Sequence, residues 1–169
     1  MQRIAIAILL LAASASMAGA QTISPLAQEY GKRAAGTFLL TNNTVVPLAV
    51  TIEARSFSVD KVGKHLRPLD STAHVQLSET SARLAPKETH EVDYKIRCDV
   101  YPCLVTFLAG MTVGHTQASG NNPVFQVRLI LEHVVYLCEK SKGCRAQVLA
   151  AAGYEGPTAP LHDPKQNGQ

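Results

Sequence analysis

The sequence predicts an all-β chain folded as one sandwich. Stretches in which apolar and polar residues alternate recur about every ten residues between Thr22 and Cys138. Such regular spacing of short strands is the pattern of a sandwich. No long segment carries a convincing 3.6-residue apolar period. The longest alternating stretch, FQVRLILEHVVYLC from Phe125 to Cys138, contains no Gly or Pro and is rich in Val, Ile and Leu. It is well beyond the usual strand of about 5–6 residues.

Taken in order, Gln21 to Gly36 carries Pro25, Gly31 and Gly36, which argue against a long helix and leave a loose edge strand over Thr22 to Tyr30. Thr37 to Thr41 reads as a short strand halted by the turn formers Asn42 and Asn43. After Pro47, Leu48 to Val59 alternates, with Leu48, Val50, Ile52 and Ala54 on one face. Lys61 to Ala73 holds Gly63, Pro68 and several charges, as a loop or an irregular hairpin does. Val75 to Leu77 reads as a short strand, and Ser81 to Lys87 approaches a turn at Pro86.

Glu88 to Cys98 places Val92, Tyr94, Ile96 and Cys98 on one side and charged residues on the other. Leu104 to Val113 is nearly all apolar, as expected of a strand buried on both sides. In the long stretch, Phe125, Val127, Leu129 and Leu131 alternate with Gln126, Arg128, Ile130 and Glu132. That apolar stripe either faces the core or offers an edge to a partner. A slip of one residue exchanges the two sets, so Ile130 stays a candidate contact beside the stripe. After it come a polar turn and a single helical segment over Ala146 to Gly153. The remainder, rich in Pro and Gly, reads as a flexible C-terminal tail.

The first twenty residues read as a signal peptide. Arg3 is followed by ten apolar residues from Ile4 to Ala13, and Ala18-Gly19-Ala20 supplies a small-x-small cleavage pattern. Ten apolar residues fall short of the roughly 20 that span a membrane as a helix, so no membrane insertion is expected. The expected organisation is a signal peptide over 1–20, one sandwich domain over 21–138, and a disulfide-closed turn with a flexible tail over 139–169. Export points to the periplasm, where cysteines oxidise. Cys98, Cys103, Cys138 and Cys144 admit three pairings. Proximity favours Cys98 with Cys103 and Cys138 with Cys144, each loop contributing about 2 kcal/mol on the chain-entropy model.

Composition excludes several function classes. The formal charge is only +3 and the basic residues are scattered, which does not make a nucleic-acid footprint. No Trp is present and aromatic residues are few, so stacking platforms for bases are poorly supplied. The cysteine spacings lack the tight pairs of zinc ribbons. The histidines, His65, His74, His90, His115, His133 and His162, are dispersed and read as surface or loop residues. Neither a G-x-S-x-G elbow, nor a Cys–His nucleophile arrangement, nor a Gly-rich phosphate loop occurs. No catalytic residue, metal or cofactor is expected, and the chain is not read as an enzyme.

Three segments in order carry a resemblance. GTFLLTNNTVVPLAVTIEA, SARLAPKETHEVDYKIR and FQVRLILEHVVYL resemble successive blocks of the PapD-like periplasmic pilus-assembly chaperones, over about residues 37–138. The resemblance implies an immunoglobulin-like β-sandwich, here only the family's N-terminal domain, and a role escorting exported subunits of pilus or surface-fibre type. It also implies that the last long strand is donated to a subunit by edge-strand pairing. On this chain that strand presents Phe125, Val127, Leu129, Ile130 and Leu131. The family's basic anchor for a terminal carboxylate has no counterpart: the late Lys falls on Val134 or Val135, and Lys32 and Arg33 sit too close to the first block. The expected function is therefore a chaperone-like binding protein. The alternative is a structural or adaptor module of a cell-envelope complex.

Overall fold

A computed structural model describes residues 21–113, 128–140 and 142–154. The alternation in sequence becomes two facing sheets. The first contains β1 (Thr22–Ser24), β3 (Arg33–Thr41), β8 (Thr89–Cys98) and β6 (Ala73–Leu77), side by side in that order. The second runs β2 (Ala27–Tyr30), β10 (Arg128–Leu137), β9 (Cys103–Val113), β4 (Leu48–Val59), β5 (Lys64–Arg67), with β7 (Ser81–Leu84) also paired to β4. The pairings are antiparallel except that of β2 with β10.

The apolar rows of these strands meet between the sheets. Val92, Tyr94 and Ile96 of β8 and Phe38 and Leu40 of β3 face Val50 and Ile52 of β4, Val105, Phe107 and Ala109 of β9, and Val135 and Leu137 of β10. Phe38 stacks on Phe107 with ring centroids 5.5 Å apart, an arrangement that adds to simple area burial. The even-numbered side of β9 is covered too. The Arg128 guanidinium lies over Gly110, where a Cβ would stand 2.5 Å from its nitrogen.

Four local features differ from the sequence expectation, each for a physical reason. The single edge strand over Thr22 to Tyr30 is two strands in different sheets, because Pro25 has no N–H to give a ladder and the chain crosses there. The segment Lys61 to Ala73, read as a loop or irregular hairpin, contains β5, paired from Ser56↔Arg67 to Val59↔Lys64. The approach to Pro86 contains β7, whose four residues are too few to show a period. Finally, the helix is α1 (Cys144–Ala151), two residues ahead of its expected start.

Helix α1 depends on tertiary contacts, since eight residues are marginal alone. The Cys138–Cys144 disulfide ties its first residue to the end of β10. It covers a second apolar cluster on the outer face of the second sheet, built on Phe57, Tyr136 and the two cysteines, with Leu104, Val134 and Val148 beside them. Gly153 (φ 65°) ends it in a Schellman turn, the Tyr154 N–H donating to Leu149 O and the Gly153 N–H to Ala150 O. The Cys98–Cys103 disulfide closes the corner between β8 and β9.

Asn42 joins two turns at the opposite end of the sandwich and is fully buried. Its Nδ2 donates to Val46 O at 2.8 Å and to Ala85 O at 2.9 Å, while Oδ1 accepts from the Thr44 amide at 3.0 Å and hydroxyl at 2.6 Å. Asn42→Ala removes the donor to Ala85 O and one of the two donors to Val46 O, which keeps the Thr44 hydroxyl, so urea denaturation is expected to show a loss of about 1–3 kcal/mol. Asn42→Asp keeps the acceptor but has no donor when ionised, and is expected to cost at least as much. An Asp variant as stable as the native chain would show that the donor bonds carry no weight.

Candidate partner-binding edge

The long strand is anchored at its middle. His133 has no solvent exposure and lies on the core-facing side of β10, so it is not the surface histidine expected from sequence. Its ring stacks on Phe38 at 5.2 Å and lies nearly parallel to Phe107 at 6.1 Å. Nδ1 sits 2.6 Å from Pro25 O. A carbonyl only accepts, so Nδ1 carries the hydrogen and Nε2 faces the Tyr94 hydroxyl at 3.1 Å. Tyr94 in turn reaches Gln28 Oε1 at 2.5 Å and Tyr30 Oη at 3.1 Å, while Tyr30 donates to the same Gln28 oxygen at 2.8 Å. This chain of polar groups binds the crossing at Pro25 and strand β2 to β10.

Burial sets the ionisation of the network. It pushes the His133 pKa below the ordinary imidazole value, with the Pro25 carbonyl pulling weakly upward. Burial and then the hydrogen bond with Tyr30 push the Tyr94 phenol up. Burial thus favours the neutral ring, with its hydrogen on Nδ1.

Below His133 in sequence, β10 has one covered edge and one open one. Its pairing with β9 is continuous from Arg128↔Thr112 to Leu137↔Cys103. On the other side β2 pairs only with Val134 to Leu137. The amides of Val134 and Cys138 point to that side, donating to Leu26 O at 2.9 Å and Tyr30 O at 3.2 Å. Along a strand, alternate residues direct both main-chain groups to the same neighbour. The N–H and C=O of Arg128, Ile130 and Glu132 therefore face the open side, and among the described residues no strand pairs with them.

The candidate residues divide between the two faces of this segment. Leu131 packs against the core, and Leu129 lies on the same side with 37% exposure. Ile130 points to the outer face and is 55% exposed. Phe125 and Val127 lie outside the described residues. Flanking Ile130, Arg128 reaches Thr51 Oγ1 at 3.4 Å. Glu132 Oε1 accepts from Thr106 at 3.0 Å and is ion-paired with Lys64. Sequence reasoning missed the anchor at His133, whose signal was an imidazole in register with Leu131 and Val135.

Among the described residues no cluster of His, Cys, Asp and Glu is arranged to hold a metal. None of their helices is long and apolar enough to cross a membrane.

No family model matches the sequence, and no curated protein matches it. Among solved structures, the chain is similar to the class 5 fimbriae chaperone CfaA, with a TM-score of 0.54 and 6% identity over 72% of this chain and 57% of that one. It is similar to a chain of a chaperone–tip adhesin complex of CFA/I fimbriae, with a TM-score of 0.50 and 6% identity over the same shares. A chain of the CsuC–CsuE chaperone–tip adhesion subunit pre-assembly complex of Acinetobacter baumannii aligns with a TM-score of 0.49 and 12% identity, over 78% of this chain and 66% of that one. The chain thus spans under two thirds of these proteins. At such identities the likeness establishes the fold, a PapD-like, immunoglobulin-like sandwich.

The buried imidazole makes stability depend on pH. The unfolded chain has His133 near the ordinary value of about 6.5, and the folded chain holds it lower. The native state then binds fewer protons below about pH 6.5, so its stability is full above that value and declines as pH falls toward the folded pKa. The urea midpoint is expected to fall between about pH 7.5 and about pH 5. In His133→Gln, which keeps one donor and one acceptor, that decline is expected to shrink. An unchanged decline would place its origin elsewhere.

Proposed function

We propose that the chain is a chaperone-like binding protein that takes up extended segments of exported polypeptides on the open edge of β10. The observation that carries this reading is the row of main-chain groups at Arg128, Ile130 and Glu132 that no strand pairs among the described residues, beside the exposed Leu129 and Ile130. An open edge with apolar side chains is a template for another strand, and a liability unless something occupies it. A segment added there gains main-chain hydrogen bonds worth about 0.5–1.5 kcal/mol each, with side chains at alternate positions supplying selectivity.

Pilus or fimbrial subunits are the most concrete partners. The fold likeness to a fimbriae chaperone supports that class, and the leader-like first twenty residues support a periplasmic setting. The strand contacts assigned to the partner are Leu129, Ile130 and Leu131, with Phe125 and Val127, which lie outside the described residues, added from the sequence pattern. Nothing in this mechanism requires catalysis or a cofactor.

The test separates main-chain pairing from side-chain contact. Ile130→Pro removes an N–H that faces the open edge and leaves the β9 ladder intact. In a pull-down of exported proteins with a tagged chain, this variant is expected to lose a captured subunit while retaining the native melting temperature. Leu129→Glu and Ile130→Glu, each checked for folding, report which face touches the partner. If folded Ile130→Pro captures the same proteins as the native chain, edge pairing is wrong and an adaptor role using another surface takes its place.

A further inference from the structure

We infer that the outer face of the first sheet holds a binding site for a soluble phosphomonoester, whose phosphoryl group lies between Arg33 and Arg97. This is the sheet that does not contain β10, so the site requires nothing of the open edge. Alternation turns the odd-numbered residues of β3 and β8, and the even-numbered ones of β6, outward. Register then sets His74, Arg97 and Arg33 side by side in one row across three strands. In the next row Gln76, Lys95 and Ala35 stand together.

Two arginines directly opposite one another destabilise a sheet. The Asn42 amide donates to Glu88 O, so the even-numbered residues of β3 form the hydrogen-bonded pairs with β8. Arg33 and Arg97 are therefore a pair of the closer kind, with Cα atoms about 4.5 Å apart. Little on the chain offsets this. Asp99 lies 3.1 Å from His74 and 3.6 Å from Arg97. Among the described residues no carboxylate pairs with Arg33 or with Lys95.

The row selects the chemistry of the anion. One guanidinium fork takes up both oxygens of a carboxylate, whereas a phosphoryl group has three acceptor oxygens to share between two forks. Lys95, about 7 Å from Arg97 along β8, adds a point charge on another side. The surroundings select size and source. Both rows line one open hollow of about 820 Å³, which leaves space beside the phosphoryl group for the polar body of an ester. Farther along β8 the same face turns acidic, at Asp93, which accepts from Thr37 at 2.7 Å, and at Glu91. A long polyanion laid along the strands, or an anionic membrane laid against the sheet, would meet those carboxylates. The ligand is therefore compact and in solution.

Titration of the mature chain with glucose 6-phosphate, followed by calorimetry and by amide NMR shifts, tests the site. Saturable binding is expected, with the shifts gathered on β3, β8 and β6 rather than on β10. Arg33→Gln and Arg97→Gln are each expected to raise Kd roughly tenfold or more, the weight of one charge-assisted hydrogen bond. Glu91→Gln, at the acidic end of the same face, is expected not to weaken binding. Without ligand, Arg33→Gln is expected to melt no lower than the native chain, because it relieves the opposed pair, so its loss of binding is not a loss of folding. Glucose, acetate and vesicles of phosphatidylcholine with phosphatidic acid are expected not to bind. A native chain that ignores millimolar glucose 6-phosphate overturns the proposal. So does binding that survives Arg33→Gln and Arg97→Gln combined, acetate bound as tightly as the ester, or capture by the vesicles, which would assign the face to a membrane.

Discussion

How far β2 extends along β10 decides what this molecule presents to its surroundings. The chain enters in the first sheet as β1, crosses at Pro25, and continues in the second sheet as β2. Because that crossing falls where it does, β2 covers β10 only from Val134. The hydrogen bond from His133 Nδ1 to Pro25 O holds the crossing in place at 2.6 Å. Burial favours the neutral ring, and the Tyr94 hydroxyl lies 3.1 Å from its other nitrogen. One imidazole thus fixes where the covered part of the edge ends and the open part begins.

Much of the sandwich was legible because alternation survives wherever one face of a strand is wet. Leu48–Val59 has the bounds read from the sequence, and β8 buries the apolar row that Val92, Tyr94 and Ile96 announced. The strands missed were those too short to display a period: β5 is four residues and largely exposed, and β7 is four residues ahead of a turn. The splitting of the first strand was announced by Pro25, which weighs against helix and ladder alike; only the sheets on either side reveal which was meant. The site was half legible. Leu129, Ile130 and Leu131 stood out, but their division between inner and outer faces depends on register, which no single strand specifies. His133 was misjudged because its partners lie far away in sequence, at Pro25 and Tyr94.

The outer face of the second sheet is treated unequally along its length. At one end Phe57 and Tyr136 meet edge to face at 5.7 Å under α1, and the Cys138–Cys144 bond keeps the helix over them. At the other end Thr51 and Ile130 stay exposed, with Arg128 lying across Gly110. The covered end coincides with the part of β10 that β2 protects, and the uncovered end with its open edge. Protection of face and protection of edge therefore stop at about the same place on one strand, leaving a short segment whose outer edge no strand pairs among the described residues and where Ile130 is exposed.

The parallel pairing of β2 with β10 joins strands roughly a hundred residues apart, from Ala27 to Val134. Closing a loop of that size is entropically costly, and that cost must be met before the contact contributes. Strand β10 also brings Val135 and Leu137 to the core, so both the wall of the core and the tether of the first strand depend on the same segment. A chain emerging from its N-terminus would hold β3, β4, β8 and β9 ready while β2 still lacks its partner. Until β2 docks, the whole outer edge of β10 is without that partner, so completing the sandwich is also what trims the edge to the segment before Val134.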